Sequence, residues 1–179
     1  KDVKALIHTA HTVDVEPLVL DATHRRNEHQ KQYIVDQVRK QFGPDLSQRT
    51  FAVWGLAFKP GTDDVREAPA LSIVRGLLDA GATVRAFDPV AASAFAKRLA
   101  EDGESPRFSL VAEKYDALKG ADALVLITEW KEFRSPDFRR IRSLLKQPVI
   151  FDGRNQYDAA RLRSEGWTYF GVGRGSPLP

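Results

Sequence analysis

The sequence predicts a doubly wound α/β domain: a mainly parallel, six-stranded, Rossmann-like sheet preceded by a linking helix. Short, continuously apolar runs recur from Thr50 onward, the kind buried on both faces of a parallel sheet. Stretches with helical apolar spacing separate them. Strands alternating with helices imply right-handed crossovers and a sheet covered on both sides.

In chain order, "VKALIHTA" (Val3–Ala10) reads as part of one helix. "THRRNEHQKQYIVDQVRKQF" (Thr23–Phe42) reads as another, with a narrow stripe of Ile34, Val35, Val38 and Phe42 and a stop at Gly43-Pro44. So polar a helix suits a link between domains, or packing on a second subunit, more than a core. "TFAVWGLA" (Thr50–Ala57) is the first strand. Pro69 then opens a helix, where its missing N–H costs nothing. Leu71, Val74 and Leu78 form its stripe, and Gly81 ends it. Thr83–Pro89 is the second strand, followed by a helix carrying Ala92, Phe95 and Leu99. Arg107–Val111 is a weaker third strand, with a short helix near Tyr115–Lys119. Ala123–Thr128 is the fourth; Ser135 and Pro136 then read as the cap and first turn of a helix lined by Phe138, Ile141 and Leu145. Pro148–Asp152 is the fifth strand, Asp158 caps a short helix ending at Gly166, and Thr168–Gly173 is the sixth. Residues 1–45 are therefore a helical region and residues 46–179 the α/β domain.

Composition narrows the function classes. The 179 residues are 42% hydrophobic and 28% charged with a net charge of +3, ordinary values for a chain that buries a sizeable core. Basic and acidic residues are interspersed, so no like-charged block marks a nucleic-acid tail. There is no cysteine, which excludes disulfides and thiolate chemistry from this chain. Four scattered histidines do not suggest a zinc site, and no metal is expected. No apolar run approaches a membrane span and no signal-peptide core opens the chain, so a cytoplasmic protein without membrane contact is expected. The chain lacks Met and begins at Lys1, which suggests a piece of a longer polypeptide.

In an open α/β sheet, ligands bind beyond the carboxyl ends of the strands, where strand order reverses. The residues just past each strand are therefore the candidates: Phe58 and Lys59, Asp88, Glu129 and Trp130, and the turn Asp152-Gly153-Arg154-Asn155. Lys59 and Arg154 reaching one crevice would suit a phosphate or diphosphate, aided by the positive end of the Pro69 helix. Alternatively, Lys59 and Arg66 pair with Asp63, Asp64 and Glu67 on a solvated loop. An acidic residue ending the second strand of a dinucleotide-binding unit grips a ribose. Asp88 lacks the accompanying Gly-rich turn, since only Gly55 is present, and a cap on the strand end is the simpler role. Trp130 and Phe133 could stack on a base or pack beneath the loop.

"GLAFKPGTDDVREAP" together with "AFDPVA", "ITEWKEF" and "VIFDGRN" resembles the C-terminal UDP-binding domain of the UDP-glucose dehydrogenases, in the UDP-glucose/GDP-mannose dehydrogenase family. The stretches keep the family's order and spacing over residues 46–179. "KDVKALIHTA" resembles the segment just after that family's nucleophilic cysteine, and "RRNEHQKQYIVDQV" its dimer-building central helix. The resemblance implies oxidation of the UDP-glucose C6 alcohol to the carboxylate with two NAD⁺, the NAD bound mainly by an N-terminal domain. It implies substrate contacts for Phe58, Lys59 and Arg154, an NAD contact for Arg66, and catalytic roles for Lys1 and Asp2, the aspartate steering a water. It further implies a homodimer. Without the cysteine and the NAD domain, this chain is expected to be inert by itself. UDP-N-acetylmannosamine as substrate, or a non-catalytic nucleotide-sugar or dimerisation module, are the alternatives.

Overall fold

The computed structural model describes residues 2–101, 103 and 105–174. These divide into two compact units, one up to Tyr33 and one from Ile34 onward.

The first unit holds α1 (Asp2–Thr12) and the first half of α2 (Leu18–Phe42). None of the α1 residues is buried, and Leu6, Val13, Val15, Leu18 and Val19 remain exposed. The turn after α1 closes through the Val15 N–H, which donates to the Ala10 carbonyl at 3.0 Å.

The second unit is a six-stranded sheet. Its strands are β1 (Thr50–Trp54), β2 (Thr83–Phe87), β3 (Phe108–Leu110), β4 (Ala123–Leu126), β5 (Val149–Asp152) and β6 (Thr168–Gly171). The order is β3-β2-β1-β4-β5-β6 and every pairing is parallel. Between them run α3 (Pro69–Asp79), α4 (Ala92–Ala100), α5 (Lys114–Leu118), a 3₁₀ turn at Lys131–Phe133, α6 (Phe138–Leu144) and α7 (Ala159–Ser164). Strand order reverses between β1 and β4, as the doubly wound reading requires.

Alternation along each strand builds two buried layers. Ala52, Trp54, Leu124, Leu126 and Ile150 share one with Leu118 of α5, Ile141 of α6 and Leu162 of α7. Phe51 and Phe151 face the other way and meet the ring of Phe42, at centroid distances of 5.5 and 6.3 Å. The narrow stripe of α2, expected to serve a link or a second subunit, therefore packs on this unit's own sheet. Ile34, Val35 and Val38 are buried with it, and Val35 lies close against Gly76 of α3. The stripe is thin because only the last turns of α2 are covered.

Two caps test the helix boundaries. Asp158 accepts the Arg161 N–H at 3.0 Å, as expected. α6 begins later than Ser135-Pro136 suggested: Asp137 is its cap, accepting from the Arg140 N–H at 3.0 Å. A carboxylate adjoining the first helical turn is the stronger acceptor for its unpaired donors.

At the amino edge of the sheet, the buried Asp122 ties three segments together. Its Oδ2 accepts from Thr50 N (2.9 Å) and Lys146 Nζ (3.0 Å), and its Oδ1 from Arg49 Nη1 (2.9 Å). Burial opposes ionisation, but the Thr50 N–H and the two cations outweigh it and hold the carboxyl below its usual 3.8. A carboxyl depressed in the folded state contributes stability above its unfolded pKa and loses it as pH falls toward the folded value. Asp122→Asn is expected to flatten the loss of stability as pH falls below about 4. Urea titrations at pH 7 and pH 3 check this; an unchanged pH dependence in the variant would refute it.

Among the described residues no helix is long and apolar enough to cross a membrane, and no His, Cys, Asp or Glu cluster could hold a metal ion.

Candidate functional site

The carboxyl ends of β1 and β4 are drawn together by Gly55. Its φ of +88° is a conformation that glycine adopts without steric cost. A Cβ there would lie 2.6 Å from Thr128 N and Cβ and 2.7 Å from Thr128 O. Thr128 is wholly buried and its Oγ1 donates to the Ala57 carbonyl at 2.6 Å. β1 therefore ends at Trp54, and the apolar continuation Gly55–Ala57 is a turn clamped onto the end of β4.

Asp88 fixes the same turn from the other side. Its Oδ2 accepts from Leu56 N (2.7 Å), Ala57 N (3.1 Å) and Trp130 Nε1 (3.0 Å), and its Oδ1 from Val90 N (2.9 Å) and Ala91 N (2.7 Å). It is a buried cap joining the ends of β1, β2 and β4. Phe133 is buried and stacks on Trp54 at 5.1 Å, and Trp130 donates its indole N–H to Asp88, so both aromatic residues pack beneath the loop. A dinucleotide does not fit this crevice: the glycine turn is filled by Thr128, and the carboxylate that would take a ribose already receives five N–H groups.

The loop after this turn remains open. Phe58 N donates to the Asp64 carbonyl at 2.8 Å and closes the loop at its base. Phe58 is 46% exposed. Lys59 is exposed and makes no ion pair among the described residues. Arg66 behaves differently. Its Nε and Nη2 donate to Asp64 Oδ1 (2.9 Å) and Oδ2 (2.8 Å), a bidentate pair, yet its side chain stays 79% exposed. That pairing raises its pKa further. The solvated-pair alternative thus describes Arg66 and not Lys59. The next residue, Glu67, has φ +59°, a conformation uncommon for a residue with a side chain.

Arg154 comes from the turn after β5. Asp152, fully buried, organises that turn by accepting from Arg154 N (2.9 Å), Gln156 N (2.8 Å), Tyr157 N (3.1 Å) and the Tyr169 hydroxyl (2.8 Å). Burial first, and the Asp152 charge second, push the Tyr157 and Tyr169 hydroxyls well above their usual pKa, so both stay neutral. Arg154 Nε donates to the Ile127 carbonyl at 2.8 Å and lies 2.9 Å from Glu129 Oε2. Its Nη2 approaches the Phe58 carbonyl at 3.5 Å. Arg154, Phe58 and Lys59 therefore share one edge of the sheet, with Arg66 at the other end of the same loop.

Asp2 opens α1 in the first unit, and Lys1 lies outside the described residues. The pattern of residues after each strand had marked Glu129 but not its ion pair with Arg154. The contact of Thr128 with Gly55 had no signal except the lone glycine.

Chemically, this edge offers a guanidinium, a lysine and an exposed aromatic ring next to polar backbone, a set that suits an anionic, partly planar ligand. Residues 52–159 match the UDP-glucose/GDP-mannose dehydrogenase family, UDP binding domain. UDP-glucose 6-dehydrogenase of Pseudomonas aeruginosa is 47% identical over 174 residues, covering 97% of this chain and 38% of that protein. A UDP-glucose dehydrogenase structure from Pyrobaculum islandicum superposes with a TM-score of 0.74 at 29% identity, over 96% of this chain and 36% of that one. A UDP-D-ManNAc dehydrogenase structure from Pyrococcus horikoshii gives 0.69 at 26% identity, over 93% and 36%. The chain thus spans under two-fifths of the length of these relatives. With its α/β unit matched from β1 into α7, the chain belongs to the UDP-glucose/GDP-mannose dehydrogenase family.

Proposed function

We propose that this chain is the UDP-binding part of an NAD-dependent dehydrogenase that oxidises UDP-glucose to UDP-glucuronate. The observation that carries the reading is the meeting of Arg154 with the Phe58 backbone, Nη2 to O at 3.5 Å, next to a lysine with no carboxylate partner among the described residues. A diphosphate matches a planar fork and a point charge together, and the exposed Phe58 ring adds apolar cover. The 47% identity to a UDP-glucose 6-dehydrogenase favours glucose; UDP-N-acetylmannosamine is the second reading, favoured by the Pyrococcus horikoshii neighbour.

Lys59 and Arg154 bind the UDP portion, and Phe58 lines it. Arg66, pre-set by Asp64, reaches toward NAD held outside this sheet's own crevice, in an N-terminal domain. Asp2 steers a water and Lys1 stabilises developing negative charge on oxygen. The protein acts in the cytoplasm as a homodimer built on α2.

Titration calorimetry with UDP at millimolar concentration tests the site. Saturable heat is expected, with Lys59→Ala weakening it roughly three- to tenfold, about one hydrogen bond from an exposed, solvent-screened side chain. Heat unaffected by that change would remove the assignment. In a polypeptide that also carries an NAD domain, NADH should form from UDP-glucose. Formation only from UDP-N-acetylmannosamine selects the second reading, and formation from neither removes the dehydrogenase.

A further inference from the structure

A carboxylate beside the arginine of an anion site is a liability, because it repels the ligand the arginine is there to attract. Glu129 is such a carboxylate: its Oε2 lies 2.9 Å from Arg154 Nε. That oxygen is buried and receives no hydrogen bond, because the Nε–H is aimed at the Ile127 carbonyl instead. The carboxylate therefore acts on the guanidinium by charge and by blocking one side, not as an ordinary hydrogen-bond acceptor. With Glu129 and Ile127 on the Nε side and the Phe58 carbonyl near Nη2, only Nη1 donates to nothing among the described residues. Long arginine side chains lose several rotamers when they bind, and holding one in place beforehand saves that cost at the binding step.

We propose that Glu129 is a positioning residue: it pins the Arg154 guanidinium so that its Nη1 side faces an incoming UDP phosphate. This rests on the reading of Arg154 as a UDP contact. Glu129 is well placed for such a role. It comes after Thr128, which is clamped against Gly55, and precedes Trp130, which is anchored on Asp88. The carboxylate is thus carried by a segment fixed on both sides, and it transfers that fixity to a side chain on a different turn.

The test is a double-mutant cycle on this chain, with UDP dissociation read by ligand-observed NMR, which reaches millimolar affinities. Glu129→Ala is expected to weaken UDP binding about five- to tenfold, the scale of ordering one such side chain. Glu129→Gln, which keeps the shape, should recover part of that loss, and melting temperature should not change in step with affinity. In the Arg154→Ala background, Glu129→Ala should no longer weaken binding and should tighten it by relieving the unpaired charge, as expected for a residue whose favourable effect acts through the arginine. Equal weakening in both backgrounds would show that Glu129 acts independently of Arg154 and overturn the proposal. So would unchanged or tighter binding in Glu129→Ala while Arg154→Ala still weakens binding, and the UDP site would then stand without it. If Arg154→Ala leaves binding untouched, the assignment of the UDP site fails and this role fails with it.

Discussion

Gly55→Ala is expected to destabilise the α/β unit by about 3 kcal/mol, within the ~2–5 kcal/mol spanned together by a left-handed backbone penalty of ~1–2 kcal/mol and overpacking of ~1–3 kcal/mol. Both terms act at one atom. The φ of +88° puts a Cβ in a conformation L-residues avoid, and that Cβ would sit 2.6 Å from Thr128 N. Relief cannot come from a side-chain rotation, because the obstructing atoms include backbone. Moving Thr128 would stretch its 2.6 Å bond to the Ala57 carbonyl and disturb Trp130 two residues on. Against a typical total stability of roughly 5–15 kcal/mol, the loss is a large fraction. Thermal unfolding should show a melting point lower by about 6–12 °C for a domain of this size. A drop of less than about 2 °C would mean that the two turns separate easily and that the crevice is not rigid.

Arg154→Ala carries the largest expected effect on binding. It removes the guanidinium proposed to meet UDP phosphate, and charge-assisted hydrogen bonds of this kind contribute roughly 1.5–3 kcal/mol, about 10- to 100-fold in affinity. It also leaves Glu129 without the cation beside it, so repulsion of the ligand adds to the loss. Arg154→Lys should recover little, since an ammonium cannot donate to the Ile127 carbonyl and a phosphate with the same planar fork. The turn itself is expected to persist, because Asp152 binds the Arg154 backbone N–H and not its side chain. UDP titration of both variants, with melting curves as the control for folding, decides it. Wild-type affinity in Arg154→Ala would remove the site.

Much of this was legible in the residues, and the limits have physical reasons. The apolar runs located β1, β4 and β5 because parallel strands buried on both faces need continuous apolar sequence; β2, which alternates around Arg85, and the largely exposed edge strand β3 carried a weaker signal. Their ends were less legible. Leu56 and Ala57 are as buried as the strand before them, so composition carries β1 past Trp54; the departure depends on Gly55 turning and on Asp88 accepting the next N–H groups. Asp88 as a cap could be inferred from the missing glycines. The stripe on α2 announced a buried face without saying against what, because the partners Phe51 and Phe151 are distant in sequence and no spacing encodes them. The same holds for Glu129 and Arg154, which belong to different turns. A charged loop could be seen, but which of its cations was tied down and which was open could not: Asp63, Asp64 and Glu67 all stood within reach of both.

The five donors gathered on Asp88 also bear on how such a domain could be redesigned. A fold of this topology is an obvious starting point for an engineered dinucleotide site, and the acidic residue at the end of β2 would be the natural handle for the ribose. Here that handle is the joint holding three strand ends in register. Freeing its carboxylate for a cofactor would release the N–H groups of Leu56 and Ala57 and the indole of Trp130 together. A designer would have to rebuild the loop from Gly55 to Pro69 first, and introduce the cofactor second.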